Sequence, residues 1–155
     1  MKLNAVEKAL MNNPARALVQ ELIVGKTDVH LDYGNMPGVA YCHPEVASVG
    51  LTEDAARERG LDIAVGTFPW SANGRARTIG ETEGLIKVIR DKRYDELVGA
   101  HMVGPGSSEL IAEFVVGRHL ETTVEEMARA VYAHPTLSDA VPEAAMAALG
   151  RAIHI

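Results

Sequence analysis

The chain reads as an α+β domain, an antiparallel β-sheet with helices packed on it. Two observations predict this. Runs of β-branched and apolar residues occupy the middle of the chain, at 63–68, 85–90 and 97–103, with the last two joined by a short charged turn at 91–96. Helical periodicity is gathered after Gly104. Strands in succession followed by helices in succession favour helices laid on a meander over an alternating parallel fold.

In chain order, the first element is a helix over 14–24. Asn13 can cap it, Pro14 suits its first position, Leu18, Val19, Leu22 and Ile23 share one stripe, and Gly25 can close it. The stretch 26–37, ending in the turn Asn35-Met36-Pro37, reads as a linker, so the chain divides into an N-terminal helix and linker at 1–35 and a domain at 36–155. Extended pieces at 39–41 and 47–49 flank His43-Pro44. Thr52 then caps a short helix through Arg59 that Gly60 ends. After the strand at 63–68, residues 71–83 read as a polar loop. Gly104-Pro105-Gly106 breaks the sheet, and Ser107 or Ser108 caps a helix whose stripe is Leu110, Ile111, Phe114 and Val115. A capping box, Thr122 with Glu125 or Thr123 with Glu126, opens a helix through Ala130. The last helix spans 138–149 with a bend near Pro142.

Composition narrows the function classes. At 155 residues, 47% hydrophobic and 23% charged, the chain is an ordinary globular protein, and an aromatic share of 5% means an aliphatic core. Fifteen basic against twenty-one acidic residues give a net charge of −6. The densest basic stretch, Arg75 to Arg93, is interleaved with Glu81, Glu83 and Asp91, so nucleic acid is not an expected partner. No apolar run approaches a membrane span, and the start has charges where a signal peptide needs an apolar stretch, so the expected location is cytoplasmic. Cys42 is the single cysteine; it reads as a small buried side chain, pointing away from neighbouring His43 on an extended backbone. The six histidines show no metal spacing, and neither GxGxxG nor GxxxxGK[ST] is present, so no metal and no cofactor is expected on this chain alone.

The segment that carries chemistry is Tyr132-Ala133-His134-Pro135-Thr136-Leu137-Ser138-Asp139. Pro135 keeps His134 out of helical geometry, and a carboxylate five residues on, in the first turn of a helix, can fold back onto one ring nitrogen. That is the anatomy of an oriented general base. On spacing alone the same residues also describe a histidine closing a turn before a helix, the commoner arrangement.

His134-Pro135-Thr136-Leu137-Ser138 followed by an acid, with the upstream run from Tyr41-Cys42-His43-Pro44-Glu45-Val46 to Thr52-Glu53, resembles the C-terminal dimerisation domain of the pyridine nucleotide-disulfide oxidoreductases. Phe68-Pro69-Trp70-Ser71-Ala72-Asn73-Gly74-Arg75-Ala76, Gly84-Leu85-Ile86-Lys87-Val88, the run from Leu97 to Pro105 and the closing Gly150-Arg151-Ala152-Ile153-His154 add to it. The resemblance runs from Met36 to the C-terminus and is greatest to the dihydrolipoamide dehydrogenase branch. Before Met36, the chain reads Leu10-Met11-Asn12-Asn13-Pro14-Ala15 where the family carries a Thr-Pro and Leu-Ala-His pattern near the flavin, so 1–35 resembles the end of a flavin region only loosely.

The resemblance implies an FAD/NAD-linked reductase dimerisation fold and a homodimer in which His134 is supplied in trans as the base for a dihydrolipoamide thiol, with FAD and NAD held on other domains. Asp139 matches the acidic partner of that histidine. The family has Glu there, so this side chain is one methylene shorter and the hydrogen bond is expected to lengthen or to need a shift of the helix. His134 and Pro135 would face the partner subunit's FAD. Pro142 is a second departure. The implied partners are the flavin- and NAD-binding domains of a full-length enzyme and the subunit-binding domain of an acyltransferase in a 2-oxo acid dehydrogenase complex. The chain alone is expected to be inactive. Two other readings stay open: a non-enzymatic dimerisation or docking module, and the same domain of a sister enzyme such as glutathione or mercuric reductase. Leu137 and the Gly150 to His154 ending favour the lipoamide enzyme.

Overall fold

A computed structural model of the chain describes residue 23 and residues 32–155. The expected helix at 14–24 and the segment at 10–15 lie outside the described residues, apart from Ile23, which is helical and exposed. Backbone contacts divide the chain into two units, Met1–Met36 and Pro37–Ile155. In the first, the described residues form a 3-10 turn at Tyr33–Asn35, opened by the Asp32 carboxylate accepting from the Gly34 amide.

The second unit is built on a five-stranded antiparallel sheet, β1 (Gly38–Ala40), β2 (Val46–Gly50), β3 (Ile63–Pro69), β4 (Leu85–Asp91) and β5 (Leu97–Val103), in the order β1-β2-β5-β4-β3. Its register explains the sequence pattern. Ala47, Met102, Ile86 and Phe68 lie in one row across the four longer strands, all buried, and Val49, Ala100, Val88 and Gly66 form the next row on the same face. Between them, Ser48, His101, Lys87 and Thr67 form a row on the opposite face, where none is buried. This alternation is the period-2 signal of a sheet covered on one side.

Among the described residues of this unit, two short α-helices lie between strands, α1 (Glu53–Glu58) and α2 (Gly74–Ile79), and three follow them, α3 (Ser107–His119), α4 (Val124–Arg129) and α5 (Ala140–Ala148). Helix α3 packs on β2 and β5, while α5 packs on β3 and β4 and against α4. The apolar row therefore closes over Ile111, Phe114, Val141, Ala144 and Ala145, all buried. Each large side chain buried there stabilises the fold by about 1.5–3 kcal/mol.

Helix starts follow local chemistry in three cases. Thr52 caps α1 by accepting from the Ala55 amide, and Thr123 with Glu126 forms the capping box of α4, which decides between the two registers open in the sequence. Residues 71–83 are not a loop throughout. Asn73 accepts from the Ala76 amide and Gly80 closes the turn at φ 78°, so α2 forms there with Ala76 as its buried anchor.

Three further expectations are corrected. Neither serine caps α3: Gly106 occupies the cap position, Ser107 turns back to donate to the Gly104 carbonyl, and the Ser108 amide donates to the Glu45 carboxylate at 2.9 Å. The cap comes from another element. The C-terminal helix starts at Ala140 after a 3-10 turn at Leu137–Asp139, so Pro142 sits in the first turn, where its missing N–H has no helical acceptor to lose. Cys42 is exposed, because it lies in the loop joining edge strand β1 to β2, with its thiol against the Pro44 carbonyl at 3.1 Å.

Candidate functional site

Helix α4 ends where Ala130 turns extended, and the chain then crosses to α5 through residues 130–139. Tyr132 anchors this crossing. Its ring packs half-buried against the core, and burial, with Glu113 nearby, pushes its phenol up to about 12. Leu137 anchors the far end, also against the core. Between the two anchors His134 and Pro135 stand exposed, the His134 side chain at 79%.

The loop holds its shape through polar contacts. The Thr136 hydroxyl donates to the Ala133 carbonyl at 2.6 Å, and the Thr136 amide donates to Asp139 Oδ2 at 2.9 Å. His134 Nδ1 lies 2.9 Å from that same oxygen. A carboxylate only accepts, so this contact places the proton of a neutral ring on Nδ1 and leaves the lone pair of Nε2 free. The shorter Asp139 therefore reaches the ring directly, without the longer bond expected from the loss of a methylene. It does so from the tight turn ahead of α5, whose backbone draws the carboxylate close to residue 136.

Two contacts reach the loop from outside. Buried Asn73 donates its side-chain amide to the Thr136 carbonyl at 3.1 Å. Ser138 donates its hydroxyl to Glu113 Oε1 on α3 at 2.7 Å, and burial raises the Glu113 carboxyl above the usual carboxylate range. Sequence reasoning placed neither residue at the site. Asn73 was visible inside a family-like block and Glu113 as a charge beside an apolar stripe, but partners 63 and 25 residues away leave no local signal.

Beside the loop, Cys42, His43, Glu45 and Glu81 line a cleft with Leu137. Among the described residues no group of His, Cys, Asp and Glu is arranged to hold a metal ion, and no helix is long and apolar enough to cross a membrane.

Residues 36–145 match the family described as the pyridine nucleotide-disulphide oxidoreductase dimerisation domain. The chain belongs to this family. Relatives of this dimerisation domain include the dihydrolipoyl dehydrogenase of Rhizobium etli, 51% identical over 135 residues that cover 86% of this chain and 28% of that protein. The mitochondrial dihydrolipoyl dehydrogenase 1 of Arabidopsis thaliana is 47% identical over 135 residues, 87% of this chain and 26% of that one. Among solved structures, an HOCl-induced flavoprotein disulfide reductase of Escherichia coli superposes with a TM-score of 0.75 at 25% identity, covering 84% of this chain and 30% of that one. The LpdA protein of Mycobacterium tuberculosis shares the fold, with a TM-score of 0.76 at 23% identity over 83% of this chain and 28% of that one. The dimerisation domain thus spans less than a third of the length of these relatives.

Proposed function

We propose that this chain is the dimerisation domain of a dihydrolipoamide dehydrogenase and that His134 is the proton acceptor it contributes to a second subunit. The observation that carries this reading is the His134–Asp139 contact at 2.9 Å on a ring whose other nitrogen stands in solvent. Such a ring is oriented at one end and available at the other. Nε2 takes the proton of a dihydrolipoamide thiol, the S–H electron pair stays on sulfur, and Asp139 stabilises the imidazolium. The thiolate then attacks a disulfide on the flavin-binding domain; one S–S bond forms, one breaks, and the leaving sulfur departs as a thiolate. As the second thiol closes the substrate's ring, the dithiol is oxidised and the protein disulfide reduced.

The chemistry that FAD would supply, when bound on the neighbouring domain, is acceptance of that electron pair for delivery to NAD. The residues of this chain that fit an edge contact with FAD are His134 and Pro135, both exposed on the loop. A homodimer agrees with the apolar residues left exposed around the loop and on the outer side of α3, Val116, Leu120 and Val131.

The test is reconstitution. A full-length relative truncated before its own dimerisation domain is assayed for lipoamide-dependent NADH oxidation with this chain added. Activity is expected to return, and His134→Gln is expected to lower the restored rate by about 10²–10⁴-fold. Equal restoration by the His134→Gln chain would overturn the assignment of the base. Binding of the two pieces with no activity would turn the reading to a docking module.

A further inference from the structure

We propose that Asn73 and Glu113 are positioning residues for the His134–Asp139 pair, an amide and a carboxyl that grip the 136–138 turn from two helices and so fix where Asp139 meets the ring. The proposal rests on the reading of His134 as a proton acceptor for its purpose, though its geometry stands apart from that reading. His134 is mostly in water, and the hydrogen bond that aims its ring is the one to Asp139 Oδ2. Asp139 sits on a short 3-10 turn, an element with poor intrinsic stability. Something outside that turn has to hold it.

Asn73 is chosen for more than capping. Its Oδ1 caps α2 through the Ala76 amide at 2.8 Å, a task that Asp or Ser would perform as well. Neither of those carries a side-chain N–H. The Nδ2 of Asn73 is the extra donor, and it is spent on the Thr136 carbonyl, one peptide unit from the Thr136 amide that binds Asp139. The side chain is 2% exposed, so water does not replace either bond.

Glu113 makes the same case from α3. A carboxyl placed half in the protein interior is disfavoured by desolvation, and an apolar residue there would be less costly. Its use is the 2.7 Å bond from the Ser138 hydroxyl, one residue before Asp139. The two grips come from separate helices and act on opposite ends of the turn, at 136 and 138. The Asp139 carboxylate is left between them.

The tautomer of the His134 ring reports the grip directly, in the chain as it exists. With the ring neutral, long-range ¹H–¹⁵N correlation spectra of the ¹⁵N-labelled chain give the ratio of Nδ1–H to Nε2–H forms. The native ratio is expected to favour Nδ1–H, and Asp139→Ala, which leaves no side-chain acceptor, sets the value for a lost acceptor. Asn73→Asp keeps the α2 cap and removes the donor; it is expected to lower the ratio about threefold to tenfold, the worth of one hydrogen bond. Ser138→Ala and Glu113→Ala are expected to do the same, and Glu113→Gln, which keeps a carbonyl acceptor for Ser138, to restore the native ratio. If Asn73→Asp does not fold, Asn73→Ser, which also caps without a side-chain N–H, takes its place, and a native ratio in the folded variant would overturn the role of Asn73.

Native ratios in Ser138→Ala and Glu113→Ala, with the backbone spectrum otherwise unchanged, would overturn the proposal. So would a Glu113→Gln ratio as low as that of Glu113→Ala. Failure of the base assignment is seen elsewhere, as full restored activity with His134→Gln, and leaves these ratios as they are.

Discussion

Replacing Gly66 with alanine tests how the site's last helix is seated. Gly66 lies in the second buried row of the sheet, on the face that α5 covers. A Cβ built there would stand 2.1 Å from the Ala148 amide nitrogen, 2.2 Å from the Ala144 carbonyl oxygen and 2.8 Å from the Ala147 carbonyl carbon, where ordinary contact begins at 3.4 Å. All three are backbone atoms, so no rotamer change relieves the clash. Helix α5 must retreat by more than an ångström, taking apart the packing of Ala144, Ala145 and Ala148, which are fully or almost fully buried. Overpacking of this kind costs about 1–3 kcal/mol. The entropy gained by replacing a strand glycine offsets at most about 0.5–1 kcal/mol of it.

For a chain of this length each lost kcal/mol lowers the melting temperature by about 2–4 °C, so Gly66→Ala is expected to melt several degrees below the native chain. Since α5 begins at the residue after Asp139, the His134 Nδ1–H signal is expected to weaken too. Urea and thermal unfolding followed by circular dichroism measure the first effect. Gly74→Ala is the control: nothing lies within 4 Å of its Cβ, and that variant is expected to be as stable as the native chain or up to about 1 kcal/mol more so. An unchanged midpoint for Gly66→Ala would refute the direct seating of α5 on β3.

Other expectations follow from the same contacts. Glu45→Ala removes the carboxylate that caps α3 and is expected to cost about 1 kcal/mol in urea unfolding. The Ser108 amide and hydroxyl hold the Glu45 carboxyl below its usual range, so its contribution is present above the ordinary carboxylate pKa and fades as pH falls through the lowered value, and the gap between the two proteins is expected to close in acid. Glu113 has the opposite sign. Burial raises its carboxyl, so folding binds the proton more tightly, and this contribution is full below the ordinary pKa of 4.5 and is lost as pH rises through the folded value. Stability of Glu113→Gln relative to the native chain is therefore expected to rise over that interval. Trp70 is fully buried with its indole N–H donating to the Val103 carbonyl at 2.8 Å, so Trp70→Phe is expected to lose about 2–4 kcal/mol from an unpaired acceptor and a small void.

How much of this was legible in the sequence depended on how local its cause is. The strands were, because burial on one face of the sheet writes period-2 alternation into β3 and β4. So was a capping box ahead of α4, a contact three residues long, although the sequence leaves two registers open and the structure selects Thr123 with Glu126. Helix α2 escaped because its six residues bury only Ala76, which leaves no apolar stripe, although Asn73 and Gly80 mark its two ends. The cap of α3 escaped for a stronger reason: Glu45 stands 63 residues from Ser108, and no local pattern announces it. Cys42 reads as interior in the sequence and is exposed in the structure, because a small apolar residue between two strands looks interior until the edge position of β1 is known.

The site divides in the same way. His134 and Asp139, five residues apart, declare themselves, and the structure brings them together. What the sequence did not show is why a shorter acid suffices. A glutamate could reach back to the ring through its own flexibility. An aspartate has one methylene fewer, so the backbone must deliver it, and a backbone delivers a side chain accurately only where it is itself held. Here the delivery falls to the turn at Leu137–Asp139, and its holding to Asn73 and Ser138–Glu113, residues whose partners lie on other elements. Reach carried in the side chain has been exchanged for order carried in the fold. The exchange favours orientation, because the ring of an exposed histidine loses rotamer freedom only once, against an acceptor whose own position is already fixed.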